Sequence, residues 1–250
     1  MEKVRSFEVF AWDNGNANEK FAFRNERGEI KNIVFPSLTA EIMEDNFLFQ
    51  LEDVDFFTKD NMKLKFNGLT YCVGKLAQEQ DSQGGNRDQL EDKFRTTSSI
   101  VKLLAGIALA VNNIDVDIIN IENLMLGLSI NTYHKYKEQV EDFYSNRKFT
   151  FEIPGRNGYK QYLVTIQRAY CIAQGVGAFY DEVLEYTGFP KRADLLKKRY
   201  LLSDGGGGTT EYFIADGKKP ILGTENYIQR GANDVFQSIG NLYNGAPGQI

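Results

Sequence analysis

Short runs of alternating apolar and polar residues, separated by turns rich in glycine and asparagine, occupy much of the chain. A period of two puts every second side chain on one face, which predicts strands with one buried face. Asn67-Gly68 separates two such runs and is a strong hairpin signal, because both residues accept positive φ angles. The runs that predict strands are 7–12, 21–23, 33–35, 62–66, 69–73, 149–153, 162–166, 200–203 and 211–215, together with two core strands at 114–121 and 124–128.

Three other segments repeat apolar residues at intervals of three and four, which predicts helices. The first runs from Ile100 to Val111, with Thr97, Ser98 and Ser99 available as N-caps. The second begins at a capping Asn131 and carries Tyr133, Tyr136, Val140 and Phe143 on one face, and the third carries Ile172, Val176, Phe179, Tyr180, Val183 and Leu184. The order of these elements predicts an α/β architecture of mixed sheets flanked by helices.

The charge balance argues against direct binding of nucleic acid. Lys and Arg total 29 against 34 for Asp and Glu, a formal net charge of -5 over 250 residues. Neutralising a phosphate backbone needs clustered cations. An adaptor protein could still supply a contact with DNA.

Few residues are suited to redox chemistry or to a transition-metal site. Cys72 and Cys171 each lie in an apolar stretch and are expected to be reduced core residues, and His134 is the only histidine. The N-terminus lacks the apolar core of a signal peptide. The longest apolar stretch, 100–111, is too short to cross a membrane and contains Lys102. We expect a cytoplasmic protein with no membrane contact.

Two acidic, glycine-containing turns carry the candidate chemistry. They are Asp13-Asn14-Gly15-Asn16-Ala17-Asn18-Glu19-Lys20 and Asp204-Gly205-Gly206-Gly207-Gly208-Thr209-Thr210, and each lies between two predicted strands. Glycine lets backbone N–H groups converge on an anion, and a leading aspartate can hold Mg²⁺ or its water molecules against a phosphate. Lys20 can reach a phosphate as a point charge. Either turn alone could be an ordinary hairpin; the two together predict a site for a metal-bound polyphosphate.

Two common nucleotide motifs are excluded. No glycine-lysine-serine or glycine-lysine-threonine sequence opens a helix, so neither turn is a Walker A loop. A strand rather than a helix follows each turn, which excludes the dinucleotide-binding fingerprint.

The two turns resemble the phosphate 1 and phosphate 2 loops of the actin, Hsp70 and sugar-kinase superfamily. Within it, the chain resembles bacterial actin-like proteins of the plasmid-segregation type, the ParM and Alp proteins. Three segments add to this resemblance: Phe35-Pro36-Ser37, Tyr71-Cys72-Val73-Gly74 and Gly127-Leu128-Ser129, the last where the family often has glycine-leucine-proline. The resemblance covers nearly the whole chain.

The resemblance implies an actin-like, ribonuclease H-like fold. Residues 1–198 would form domain I, with the first phosphate loop and the connecting helix. Residues 199–250 would begin domain II, with the second phosphate loop. Few residues follow Asp204 and the family's glycine-rich adenosine motif is not visible in 221–250, so the second domain is expected to be shortened or incomplete.

The resemblance also implies roles for individual residues. Asp13 and Asp204 would act in catalysis and hold the Mg²⁺, and Gln174 would orient the attacking water for in-line attack, although it could instead be a polar residue at a helix start. The nucleotide-binding residues would be Asn14, Gly15, Asn16, Lys20, Gly205, Gly206, Gly207, Gly208, Thr209, Thr210 and Gly231.

The function implied is that of an ATPase, dependent on ATP (or GTP) and Mg²⁺, that associates with itself into filaments and segregates plasmids through a DNA-binding adaptor. One alternative is a small-molecule kinase of the pantothenate or sugar type, which needs a carboxylate base near an acceptor hydroxyl. Another is a non-catalytic nucleotide-sensing adaptor, which would bind ATP without turnover. Polymer formation, acceptor-dependent ADP formation and binding without turnover distinguish the three.

Overall fold

The computed structural model describes residues 2–42, 57–80, 92–112, 114–155, 158–185, 187–206, 210–217, 219–221, 223–224, 226–228 and 230. The chain divides into two compact units. Unit 1 consists of Met1–Gly127 with Tyr136–Cys171, and unit 2 of Leu128–Lys135 with Ile172–Ile250. Compactness thus groups 172–198 with the residues that follow. The assignment of 1–198 and 199–250 to the two actin-like domains stays a prediction.

Unit 1 is built on a mixed sheet, with nine strands among the described residues, in the order β3-β2-β1-β7-β9-β8-β5-β6-β4. β1 and β7 are parallel, whereas β1–β2, β2–β3, β8–β9, β5–β8, β5–β6 and β4–β6 are antiparallel pairs. The mixed sheet predicted from the sequence is confirmed. The strands are β1 Val4–Asn14, β2 Asn18–Arg24, β3 Ile30–Pro36, β4 Thr39–Ile42, β5 Met62–Phe66, β6 Leu69–Val73, β7 Ile118–Leu128, β8 Arg147–Gly155 and β9 Gly158–Ala173.

Two helices pack on this sheet from within unit 1: α1 (Lys75–Gln80) and α2 (Thr97–Val111). Most of α2 is buried, including Ser99 and Lys102, since the helix is apolar on nearly all sides. Gly106 lies against the ring of Phe21 on β2, where a side chain would collide with it. The absence of a side chain at residue 106 therefore lets α2 approach the sheet closely.

An aromatic cluster fills the core of unit 1. Trp12 is 1% exposed and its ring stacks on Phe21, with ring centroids 6.3 Å apart. Phe94 and Tyr144 meet Trp12 edge-on. Tyr144 lies at the end of α3 (Ile130–Tyr144), whose first six residues belong to unit 2 and whose remainder belongs to unit 1. The inward face of β1 is thus fixed by aromatic packing up to the turn that follows it.

Unit 2 contains α4 (Val176–Val183) and a hairpin of β10 (Arg199–Gly205) and β11 (Thr210–Asp216). Two short strands, β12 (Lys219–Pro220) and β13 (Asn226–Ile228), also pair with β11. A small core packs around Ile130, Phe213 and Ala215, with partly buried Ala173, Val176, Tyr200 and Leu202 against it. The hairpin is therefore anchored to α4 and to the start of α3.

Most of the predicted strands are present, and β5 and β6 have the predicted limits. Asn67 and Gly68 between them both have positive φ, 52° and 79°, as the hairpin prediction requires. Cys72 and Cys171 are buried and free, which confirms their assignment to the core. None of the described helices combines the length and apolar character needed to cross a membrane.

Several local predictions are wrong. Residues 114–121 and 124–128 do not form two strands but one, β7, beginning at Ile118, because neighbouring strands support it along its whole length. Ile172 lies in β9, which ends at Ala173, rather than in a helix. Thr96, not the three residues after it, caps α2 by accepting from the Ser99 N–H, and Ser129 rather than Asn131 precedes α3 and accepts from the Thr132 N–H. In each case the first polar residue before the helix takes the cap.

Candidate functional site

The first predicted turn joins β1 and β2 in unit 1. Asp13 and Lys20 are cross-strand partners, and the Lys20 ammonium lies 3.1 Å from a carboxylate oxygen of Asp13. The Lys20 side chain is 59% exposed and that of Asp13 28%. A Cβ at Gly15 would lie 2.6 Å from the carbonyl oxygen of Asn18, so the turn is tight enough to require glycine. The turn therefore presents a carboxylate and an ammonium side by side, both within reach of solvent.

The asparagine side chains of this turn form hydrogen bonds with residues of α2 and of the segment before it. Asn14 is buried, and its amide donates to the Ser99 hydroxyl on α2 at 2.9 Å. Asn16 accepts from the ammonium of Lys93 at 2.8 Å. Asn14 can therefore meet a phosphate only through its main chain.

Beneath the turn lies a buried ion pair that the sequence analysis did not assign to the site. The ammonium of Lys102 lies 3.0 Å from a carboxylate oxygen of Glu19, and both side chains are at most 1% exposed. Glu19 shares the inward face of β2 with Phe21 and Phe23, and Lys102 is the one charge within the apolar sequence of α2. A charge at an inward position of an apolar pattern is the sequence signal that could have revealed both residues.

The second predicted turn joins β10 and β11 in unit 2. Asp204 is exposed and lies across the hairpin from Glu211, which is buried. The Glu211 carboxylate accepts from the Ile130 N–H at 3.0 Å, at the start of α3. A carboxylate at the first turn of a helix satisfies an unpaired N–H and interacts favourably with the helix dipole. Glu211 thus holds the hairpin to the helix, a role that the sequence analysis missed.

The rest of the second turn is only partly described. Gly205 and Gly206 are exposed, and the Thr210 hydroxyl donates to the carbonyl oxygen of Arg230 at 3.0 Å. Gly207, Gly208, Thr209 and Gly231 lie outside the described residues. Their proposed contacts with the nucleotide stay predictions.

Gln174 lies in the segment between β9 and α4, and this segment is adjacent to the second turn within unit 2. The Gln174 N–H donates to the Leu128 carbonyl at 2.7 Å. Gly175 follows with φ +84°, and a Cβ there would lie 3.5 Å from the Phe213 ring and 4.0 Å from the Cβ of Asp204. The predicted water-orienting residue and the predicted metal-binding aspartate of this unit therefore belong to one local cluster.

The structure thus brings the predicted residues together in two groups, one in each unit. Unit 1 holds Asp13, Asn14, Gly15, Asn16 and Lys20 at the β1–β2 turn. Unit 2 holds Gln174, Asp204, Gly205, Gly206 and Thr210 around the β10–β11 hairpin.

The accessible donors of the two groups suit a hard cation. The accessible carboxylates of Asp13 and Asp204 are oxygen donors, and Mg²⁺ is commonly bound by one or two carboxylates with water and phosphate completing the shell. Among the described residues, no group of three or more His, Cys, Asp or Glu side chains could hold a metal by itself. Burial raises the pKa of the Cys72 thiol to about 11 and that of Cys171 to about 12, so neither is a thiolate at neutral pH. Each of the two carboxylates, that of Asp13 and that of Asp204, taken by itself, is therefore of the chemical type that binds Mg²⁺ together with a phosphate.

Solved structures share the fold. Alp7A superposes with a TM-score of 0.74 at 14% identity, over 94% of this chain and 64% of that one. ParM from Bacillus thuringiensis, solved with ATP, gives a TM-score of 0.65 at 18% identity, over 98% and 68% of the two chains. The filament structure of AlfA from the B. subtilis plasmid pLS32 gives 0.63 at 16% identity, over 95% and 78%. This chain therefore has an actin-like fold and spans less than two thirds of the length of Alp7A.

A search of curated proteins finds no matching sequence. The family described as actin-like proteins, N-terminal domain, matches residues 11–177, well over half of the chain. That match begins within β1, just before Asp13, and ends just after Gln174. The resemblance predicted from the two turns is confirmed, and this chain belongs to the family of actin-like proteins.

Proposed function

We propose that this chain is an ATPase that depends on Mg²⁺, assembles into filaments of identical subunits and segregates plasmid DNA through an adaptor protein. The observation that carries this proposal is the accessible carboxylate of Asp204 beside the Gln174-Gly175 segment. Two solved relatives support it: a ParM solved with ATP and AlfA solved as a filament. The acidic net charge of -5 favours DNA contact through an adaptor rather than directly.

In this proposal the turn of unit 1 binds the phosphates. The Lys20 ammonium interacts with a phosphate oxygen as a point charge, and Asp13 binds a metal-bound water molecule. Gly15 allows backbone N–H groups to approach the phosphate closely, since no side chain fits there. Bound Mg²⁺ supplies neutralisation of the charge on the phosphates.

In this proposal the residues of unit 2 bind the metal and the attacking water. Asp204 binds Mg²⁺ or a water molecule coordinated to it, and Gln174 positions the attacking water by hydrogen bonds. An amide cannot take a proton from water, so Gln174 contributes orientation rather than base catalysis. The Gln174 main chain donates a hydrogen bond to the Leu128 carbonyl oxygen. This bond fixes the backbone position from which the side-chain amide extends.

Assembly follows from a contact between unlike surfaces of identical chains. A heterologous contact whose rotation does not close a ring produces an open helical filament. Nucleotide hydrolysis that weakens the contact would make the filament dynamic.

The test uses the purified chain with ATP or GTP and Mg²⁺, measuring sedimentation of polymer and release of phosphate. Polymer is expected only with nucleotide and Mg²⁺, and phosphate release should rise above a threshold protein concentration. Asp204→Ala is expected to lose both. Gln174→Ala is expected to polymerise but to release phosphate about a hundredfold more slowly, since misplacing a reactant costs a factor of that order.

Asp216→Ala is the matched control, because Asp216 is an exposed carboxylate of the same hairpin that pairs with Arg199. It should behave as the unmodified chain. ADP formation that requires pantothenate or a sugar and occurs without polymer would instead support a small-molecule kinase. Tight ATP binding without turnover would support a nucleotide-sensing adaptor, and either result contradicts the proposal.

A further inference from the structure

Lys102 is a buried cation that the proposed mechanism does not use. We propose that Lys102, paired with Glu19, is a positioning residue that holds Asn14 and thereby sets the conformation of the β1–β2 turn. The effect of Lys102 on nucleotide binding rests on the proposed function. The effect of Lys102 on the conformation of the turn is independent of that function.

The ammonium of Lys102 meets acceptors from three separate segments. It lies 3.0 Å from a Glu19 carboxylate oxygen on β2 and 3.0 Å from the Ser37 hydroxyl after β3. It also donates to the side-chain carbonyl of Asn14, at the end of β1, at 3.4 Å. An ammonium has three N–H donors, so this site matches its full capacity. Lys102 therefore ties α2 to three segments that surround the turn.

Both oxygens of the Glu19 carboxylate also have hydrogen-bond partners. One oxygen accepts from the Trp12 indole N–H at 2.7 Å. The other accepts from the Ser37 hydroxyl at 2.6 Å and faces Lys102. Ser37 thus accepts from Lys102 and donates to Glu19, which gives a structural role to the serine of the Phe35-Pro36-Ser37 segment.

Asn14 is the point where this network reaches the turn. Its amide nitrogen donates to Ser99 and its amide oxygen accepts from Lys102, so α2 engages both ends of the amide. Asn14 is the last residue of β1, directly before Gly15. Fixing its side chain restricts the backbone from which the turn begins, in the way that second-layer hydrogen bonds orient binding groups at functional sites.

Stability alone does not account for a charge at this position. Apolar residues in place of a buried ion pair are often neutral or stabilising, whereas removing one partner alone is strongly destabilising. From Ile100 to Val111 every residue of α2 apart from Lys102 is apolar, and an apolar residue at 102 would continue that pattern. What an apolar side chain cannot supply is the donor to Asn14.

The test compares Lys102→Met with the double variant Lys102→Met, Glu19→Gln. The single variant leaves a buried carboxylate unpaired, so it should be clearly less stable in urea. In the double variant, the amide oxygen introduced by Glu19→Gln can still accept a hydrogen bond and no buried charge is unpaired, so most of that stability should return. Trp12 is the only tryptophan and is buried, so its fluorescence reports the unfolding of unit 1.

Two further measurements on the double variant decide the proposal. Without nucleotide, the backbone order parameters of Gly15, Asn16 and Ala17 from ¹⁵N relaxation should fall from about 0.85 toward about 0.6. ATP affinity should fall about tenfold or more, the scale of a lost hydrogen bond to a charged group. Ile166→Ala serves as the control, because it removes buried side chain from β9, two strands from β1, and should lower stability without changing the turn.

Order parameters that equal those of the unmodified chain would overturn the positioning role, whatever the nucleotide does. A double variant that does not fold would also overturn it, because the ion pair would then be required by the fold itself. If the unmodified chain binds no ATP, the proposed function fails, while the order parameters still decide the role of Lys102.

Discussion

Gly106 lies where α2 meets β2, and replacing it by alanine sets two opposing effects against each other. Alanine in a helix interior is favoured over glycine by about 1 kcal/mol. The new Cβ, however, would lie 2.4 to 2.6 Å from three carbons of the Phe21 ring, where contact normally requires about 3.5 Å or more. Phe21 is 2% exposed and stacks against Trp12 and Phe35, so its ring has little room to move.

An overlap of about 1 Å must therefore be relieved by displacing either the helix or the aromatic cluster, and overpacking of a tight core costs about 1–3 kcal/mol. With the helix preference subtracted from the upper part of this range, Gly106→Ala should destabilise unit 1 by about 2 kcal/mol. The measurement is urea unfolding followed by Trp12 fluorescence, because Trp12 packs directly on Phe21.

Ala110→Gly in the same helix gives the control, because Ala110 is only partly buried and the change should cost about 1 kcal/mol of helix preference. Gly106→Ala adds a methyl group to α2 and Ala110→Gly removes one, and both variants should be less stable than the unmodified chain. If Gly106→Ala leaves the unfolding free energy unchanged or raises it, the close approach of α2 to β2 is not a constraint on this core, and the reasoning is refuted.

Two further predictions concern helix capping and the thiols. Thr96→Ala should destabilise unit 1 by about 1 kcal/mol because it removes the cap from the Ser99 N–H, whereas Thr97→Ala, at an exposed position, should have little effect; equal losses in urea unfolding would contradict this. Burial raises the pKa of Cys72 and Cys171 above the ordinary thiol value of 9.0, so the stability that their burial contributes is complete below pH 9 and is lost as the pH rises toward about 11 and 12. Both thiols should react slowly with iodoacetamide at pH 8 in the folded chain and rapidly in denaturant, and rapid reaction in the folded chain would count against it.

Local patterns in the sequence were sufficient for the hairpins. Asn67-Gly68 fixes its turn through two residues that accept positive φ, and the flanking strands were predicted with their observed limits. Longer elements were less predictable, because neighbouring strands decide where they end. β7 continues through 122 and 123, where the sequence suggested a break, since β1 pairs with it on both sides of that point.

The parts of the candidate site that have an unusual local sequence were predicted. The residues that contribute through contacts with distant parts of the chain were missed. The two turns are visible as acidic segments containing glycine, and Gln174 by its place before small residues. Lys102 and Glu211 act through partners that are distant in the sequence, Glu19 and Ile130. The apolar sequence around Lys102 marks that residue as unusual, but no local pattern identifies either partner.

The sequence by itself determined most of the strands, the buried helix, the two acidic turns and the family to which the chain belongs, because each depends on residues close together along the chain. Only the tertiary structure decided that the first turn rests on a buried ion pair and that Glu211 caps α3. It also brought Gly175, the residue after Gln174, beside Asp204. A buried charge is tolerated only where folding brings it a partner, and the partner of Lys102 or Glu211 is identified by proximity in space rather than by spacing in sequence.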